Sequence, residues 1–395
     1  MSKSKRMNLI LSLLMGGSMI MTACAKETKT VDLSYPPQSG ENMVVSTALD
    51  FSEADLIDQS GEYNAGVAKL CAVMSASAFS GAIPQENFHE LGFSHIAKFS
   101  YDKGYEEDKV GVIAASKNIA GETLIFVVAR GTQGKEWYSN FDVGFEPEHK
   151  GFSGCADFLF NKLDLYMTNY MIDSDKARFL ITGYSRGAAA ANILSKRLID
   201  AYSGERVQAY TFATPNTTTL ENDERYSSIF NIVKSDDVFT GMPLSSWGYH
   251  RYGTDIVLEE SDKEPAQVRQ VFQEITGDDF RGFESSEDTK SFLTNAYQLA
   301  PTVKDYYEKK YTVGEYSLSV YEYMNIAAKF LCEEQTEDDG DILIESMDSP
   351  FSDVSMFFMQ GVDMEELLFS GSFERSSVAD SHSMVSYLIL MNDEQ

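Results

Sequence analysis

Ile181-Thr182-Gly183-Tyr184-Ser185-Arg186-Gly187-Ala188-Ala189-Ala190 carries a Gly-x-Ser-x-Gly core. An apolar run, Phe179-Leu180-Ile181, precedes it and a strong helix-forming series follows. That is the strand, sharp turn and helix that push a serine hydroxyl out at the tip of a nucleophile elbow. The backbone at such a tip is strained, and side chains two residues before and after the serine would collide, so glycine fits both places. A serine capping a helix beside two loop glycines gives the same five letters. The apolar strand before the motif and the alanine helix after it favour the nucleophile. If Ser185 is one, the chain must also supply a base, an acid and an oxyanion hole.

Around this stretch lie 395 residues, enough for one large domain or two ordinary ones, with 43% hydrophobic and 12% aromatic residues. The formal net charge of −29 repels nucleic acid and anionic headgroups and argues against both as partners. Lys3, Lys5 and Arg6 followed by the apolar Met7–Met21 form a secretory signal over 1–23, too short to span a membrane. Met21-Thr22-Ala23-Cys24 resembles a bacterial lipobox, which implies lipidation of Cys24 and an extracytoplasmic, membrane-anchored protein; an ordinary cleavage site would make it secreted. Residues 24–60 are expected to be a polar tether, with Ala25–Asn42 as its spacer. Cys71, Cys155 and Cys332 remain, an odd count without Cys-x-x-Cys spacing, so neither a disulfide framework nor a zinc site is indicated, though one bridge is open.

The hydrophobic pattern predicts a helix within 61–80 and strands at 108–115, 122–129, 178–182, 207–212 and 229–233, with helices over 158–171 and 188–202. The uninterrupted run Leu124–Val128 signals a strand buried on both faces. Strands alternating with helices imply a mainly parallel α/β sheet. Beyond about 257 the pattern turns helical (264–275, 290–311, 317–331), with an apolar stretch at 353–369. We therefore expect a helical insertion over 258–372 within one domain at 61–395. Glu337-Asp338-Asp339-Gly340-Asp341 briefly suggests a calcium loop, but Gln335 and Ser346 would stand where carboxylates are needed; an acidic surface loop is the better reading.

A serine hydroxyl needs a histidine to take its proton and a carboxylate to orient that histidine. In α/β hydrolases the order along the chain is serine, acid, histidine. Of five histidines only His250 and His382 follow Ser185, and His382, late in the chain on a loop before an apolar helix, is the better placed. Asp236 and Asp237 both sit just past the 229–233 strand. The oxyanion hole would use the backbone N–H of Arg186 and that of Thr132, with its hydroxyl, in the loop after 122–129.

Taken in order, these pieces resemble the class 3 (fungal-type) lipase family: Arg130-Gly131-Thr132, then Trp137 and Asp142, then His149-Lys150-Gly151-Phe152, the elbow Gly183–Gly187, Thr211-Phe212-Ala213-Thr214-Pro215, Asp236-Asp237-Val238-Phe239, Gly248-Tyr249-His250, and His382 with Tyr387. The match runs over roughly 63–257 and resumes at 376–391. The resemblance implies an α/β-hydrolase fold, a mostly parallel sheet flanked by helices. By position in that pattern it assigns Ser185 as nucleophile, His382 as base, Thr132 with Arg186 as oxyanion hole and, by the Asp-x-Val spacing that chooses it over Asp237, Asp236 as acid. It implies a serine ester hydrolase acting on acylglycerols or other lipid esters without cofactor or metal. Tyr184, Arg186, Ala188 and Phe239 depart from the family's usual histidine, leucine, glycine and proline. A catalytically silent ligand-binding lipoprotein is the competing class, against which retention of all three triad residues argues; nothing specifies amide chemistry or acyl transfer.

Overall fold

The structure is a computed structural model and describes residues 28–37, 44–58, 61–101, 110–132, 137–140, 143–144, 146–243, 245, 248–259, 265–280, 310–313, 316–319 and 380–391. The signal segment with Cys24, Asp142, Cys332, the acidic 335–346 loop and the 353–369 stretch lie outside the described residues.

A seven-stranded sheet forms the centre: β3 (Ser94–Phe99), β4 (Val112–Ile119), β5 (Glu122–Ala129), β6 (Ala177–Tyr184), β7 (Val207–Phe212), β8 (Ile229–Lys234) and β9 (Thr254–Leu258), side by side in sequence order. β3, β4 and β5 are antiparallel neighbours, and β5 through β9 run parallel. The inner strands of the sheet are buried on both faces, and the two-residue alternation of strand side chains sorts β5 between them. Leu124, Phe126 and Val128 join one core with helix α1 (Ala65–Ser77) and with α5 (Pro265–Thr276) and α6 (Met384–Met391). Ile125, Val127 and Ala129 join the other, with α3 (Lys150–Asn169) and α4 (Arg186–Tyr202). A short helix, α2 (Ile83–Glu90), precedes β3. No helix among the described residues is long and apolar enough to cross a membrane.

The expected strands at 122–129 and 207–212 match in extent, and α5 matches the expected helix at 264–275. The strand expected at 108–115 is shifted to 112–119, and β3 and β9 at the sheet edges were not anticipated.

Two expectations are corrected. Residues 24–60 are not simply a tether. β1 (Thr28–Tyr35) pairs antiparallel with β2 (Val45–Ser52), and Leu33, Tyr35 and Phe51 are buried in the same core as α1. Asn87 of α2 fastens the hairpin: its Nδ2 donates to the Ser34 carbonyl at 2.8 Å and its Oδ1 accepts from the Ser34 amide at 2.9 Å. Nor is the 258–372 region all helix. β10 (Lys310–Val313) and β11 (Tyr316–Ser319) form a two-stranded antiparallel hairpin where the two predicted helices should have ended and begun.

Because the hairpin fills core volume, Leu33→Ala should cost about 2–5 kcal/mol and lower the thermal midpoint visibly by circular dichroism. An unchanged midpoint would return residues 28–52 to the role of a tether.

Candidate active site

The site is built at the carboxyl ends of β5, β6 and β8. Ser185 stands between β6 and α4 with φ 53° and ψ −124°, a left-handed backbone that a non-glycine residue adopts only under constraint. The constraint is visible in its neighbours. A Cβ on Gly183 would lie 2.6 Å from the Gly187 carbonyl oxygen, and one on Gly187 would lie 2.3 Å from the Arg130 carbonyl oxygen. The first contact is the collision across the turn expected from sequence. The second shows that Gly187 also admits the loop leaving β5. The Ser185 amide donates to the Phe212 carbonyl at 2.9 Å and so ties the elbow to the end of β7.

Ser185 and His382 are brought together as expected. His382 Nε2 lies 2.8 Å from Ser185 Oγ, although the two residues are 197 positions apart. His382 Nδ1 faces a carboxylate at 2.8 and 3.0 Å, but it belongs to Asp237. This corrects the assignment of Asp236. Asp237 caps the helical turn Val238–Gly241 by accepting from the Phe239 amide at 3.1 Å, and that cap fixes its carboxylate toward the imidazole. Asp236 turns instead toward Lys234, whose Nζ is 3.5 Å from its Oδ1. Burial raises the Asp236 carboxyl above its usual range, and Lys234 opposes that rise. Two adjacent aspartates differ here by which one caps the turn, which the Asp-x-Val spacing cannot tell.

The hydrogen-bond directions define a tautomer: His382 donates through Nδ1 to Asp237 and accepts at Nε2 from the Ser185 hydroxyl. Asp237 also accepts from the Tyr387 hydroxyl at 2.7 Å. Burial, and then the neighbouring Asp237 charge, hold the Tyr387 phenol well above its ordinary pKa, so it remains a donor. Ser185, His382 and Asp237 are each less than a tenth exposed. His250 is elsewhere: it bridges Thr218, and its Nδ1 faces the Gly248 carbonyl at 3.2 Å.

Two of the departures, Tyr184 and Phe239, lie against His382. The Tyr184 ring lies 5.1 Å and the Phe239 ring 4.4 Å from the His382 ring, centroid to centroid. Arg186 is buried, and its guanidinium donates to Asn140 Oδ1 at 3.3 Å and to Cys155 Sγ at 3.1 Å. Asn140 Nδ2 in turn donates to Thr132 Oγ1 at 2.9 Å. Asn140 therefore joins the two expected oxyanion residues, a role that sequence reading missed because only Trp137 and Asp142 stood out in that loop. Cys71 and Cys155 are unbridged, and burial pushes the Cys71 thiol well up, as in an inert core cysteine. Among the described residues there is no cluster of three or more histidines, cysteines or carboxylates able to hold a metal.

The parallel sheet, the elbow between β6 and α4, and the order serine, acid, histidine define an α/β-hydrolase fold. Residues 126–247 match the lipase (class 3) family model. Among solved structures, the Rhizomucor miehei lipase–propeptide complex is 18% identical, with 48% of this chain and 67% of that chain covered at a TM-score of 0.36. A triacylglycerol lipase whose catalytic centre is described as a serine protease triad is 18% identical, with 49% and 79% covered at 0.39. The lipase of Rhizopus microsporus var. chinensis is 13% identical, with 57% and 82% covered at 0.34. No curated protein sequence matches the chain.

His149, which begins α3 beneath this site, yields a pH prediction. Its Nε2 donates to the Asn140 carbonyl at 3.1 Å, and its Nδ1 accepts from the Phe152 amide at 3.4 Å, so the ring is held neutral. Burial lowers its pKa to about 3, with the Arg186 charge acting in the same direction. The unfolded imidazole takes a proton near about 6.5, so the folded state loses stability as pH falls from there toward about 3, by roughly 1 kcal/mol per pH unit. His149→Gln, which keeps one donor and one acceptor, should flatten that slope in urea titrations between about pH 7 and 4. An identical slope in wild type and variant would show that other groups cause it.

Proposed function

We propose that the chain is a serine carboxylic ester hydrolase of the lipase type, acting through an acyl-enzyme. The observation that carries this reading is the continuous hydrogen-bonded relay Ser185–His382–Asp237 at the tip of a strained elbow. Ser185 Oγ attacks the ester carbonyl while His382 Nε2 takes its proton. Asp237 keeps the ring in the accepting tautomer and stabilises the imidazolium that forms. The same imidazolium then protonates the leaving alkoxide. Water, deprotonated by His382, clears the acyl group and restores Ser185.

The developing oxyanion would be met by the Arg186 amide at the first turn of α4, with the Thr132 amide and hydroxyl. Two contacts support this pairing. Gly187 seats the β5 exit loop against the elbow, and Asn140 occupies a lone pair of the Thr132 oxygen, which leaves its hydrogen to be given to substrate. Asn140 and Arg186 would keep that loop in register with α4.

Substrates would be acylglycerols, phospholipids or soluble short-chain esters, and the chemistry needs no cofactor. Lipidation of Cys24 would anchor the enzyme outside the cytoplasmic membrane. Only Ala25, Lys26 and Glu27 separate that cysteine from β1, so the anchored hairpin would start within about 15 Å of the lipidated residue.

A fluorophosphonate should label the wild-type protein and not Ser185→Ala. With a chromogenic ester, Asp237→Asn should lower kcat by about 10⁴-fold, and Asp236→Asn by far less. Failure to label the folded wild type would leave a silent binding scaffold, and a larger loss in Asp236→Asn than in Asp237→Asn would reverse the acid assignment.

A further inference from the structure

His382 is held by more than its two ring contacts. The consecutive carbonyls of Ser381 and His382 each accept a side-chain donor, and the two donors come from different strands of the sheet. Lys234 ends β8, three residues before Asp237. Its Nζ donates to the Ser381 carbonyl at 2.8 Å and to Ser386 Oγ, on α6, at 2.9 Å. Tyr184 ends β6, next to Ser185, and its hydroxyl donates to the His382 carbonyl at 2.5 Å. Burial, and then the Asp237 charge, keep that phenol protonated by raising it well above its usual range. The Lys234 ammonium also lies over the Tyr387 ring, 5.3 Å from its centroid.

Lys234 is a costly residue to place here. Both it and its partner Asp236 have fully buried side chains, and desolvating such a pair offsets most of its Coulomb attraction. The other residues of β8, Ile229-Phe230-Asn231-Ile232-Val233, are buried on the two faces of the sheet without carrying a charge. Replacing the lysine alone would strand the Asp236 carboxylate, but apolar or neutral side chains at both positions would remove the ionic cost altogether, so stability alone does not account for the pair. The geometry accounts for it: one flexible stem carries hydrogen bonds to the segment that holds His382 and to the first helix after it, and an ion pair to the carboxylate next to Asp237.

We propose that Lys234 and Tyr184 are positioning residues that clamp the backbone of Ser381 and His382, so that the imidazole is registered on the same two strands that carry Ser185 and Asp237. This inference rests on the reading of Ser185–His382–Asp237 as the catalytic relay. Neither residue touches the reacting atoms; each acts through the base. A ring on a segment that shifts by about 1 Å loses alignment with both partners, a misplacement worth on the order of 10²-fold in rate. The loss falls on kcat and leaves substrate affinity nearly alone.

The test uses the full chain with Lys234→Met/Asp236→Asn, which removes the pair without stranding a buried carboxylate, and with Tyr184→Phe, which removes a single oxygen. Thermal midpoint, steady-state hydrolysis of a p-nitrophenyl ester, the fluorophosphonate labelling rate and the downfield proton resonance of the His382–Asp237 bond are measured together. The clamp predicts a folded double variant whose kcat falls about 10- to 100-fold with KM within about twofold. Tyr184→Phe should lose kcat about 10-fold, and in both variants the downfield resonance should broaden. Wild-type kcat with a sharp resonance in either folded variant overturns the clamp. Should the double variant not fold, Tyr184→Phe decides alone. A wild-type protein that is not labelled at all would remove the hydrolase reading instead, while the resonance would still report on how the imidazole is held.

Discussion

One imidazole has to satisfy two partners at once, and the carboxyl end of the sheet is arranged around that demand. Ser185 and Asp237 are fixed by the backbone: the first by the left-handed turn between β6 and α4, the second by capping the turn after β8. His382 has neither advantage. It arrives 197 positions after the serine and 145 after the acid, ahead of a helix, α6, that packs against α1 and α5 on one face of the sheet. Its position therefore depends on side-chain bonds to its backbone and on the rings of Tyr184 and Phe239 beside it. A parallel sheet with both faces covered is a good base for this, because neighbouring parallel strands end at the same edge and cannot move independently.

The parts of the fold legible in the sequence were those set by local physics. The run Leu124–Val128 signalled a strand buried on both faces, and it is divided residue by residue between the two cores. The two elbow glycines were expected from sterics across the turn; the contact a Cβ would make at Gly183 is that collision, while Gly187 makes room for the chain leaving β5. The N-terminal hairpin was illegible for a related reason. Its strands put Leu33, Tyr35 and Phe51 inward but expose Lys29, Thr30, Asp32, Ser46 and Asp50. That period-two pattern describes a half-solvated hairpin, and its polar half also describes a linker. The strands at 310–319 are too short for periodicity to separate them from helix ends.

The candidate site divides along the same line. A scarcity of histidines led to His382 without any structure. The choice between Asp236 and Asp237 depends on the direction of two side chains at the end of a strand, which no spacing encodes. Asn140 was hidden because an asparagine in a polar loop has no pattern; its importance appears only when Thr132 and Arg186 are found on either side of it. Lys234 did leave a signal. A lysine closing the strand Ile-Phe-Asn-Ile-Val-Lys, just ahead of two aspartates, is a charge where the pattern calls for burial. Such a charge needs a partner and a reason.

The same reasoning explains why the residues that depart from the family pattern cluster instead of scattering. Tyr184 places a ring against His382 and a hydroxyl on its carbonyl; Phe239 places a second ring on the imidazole; Arg186 is drawn onto Asn140 and Cys155. Phe239 fills space, and Tyr184 and Arg186 also satisfy polar groups, so changing either of these two would strand a neighbour. Buried polar networks of this kind are stabilising when complete and costly when broken. The elbow serine is thus only the visible end of a set of residues that must be changed together or left alone.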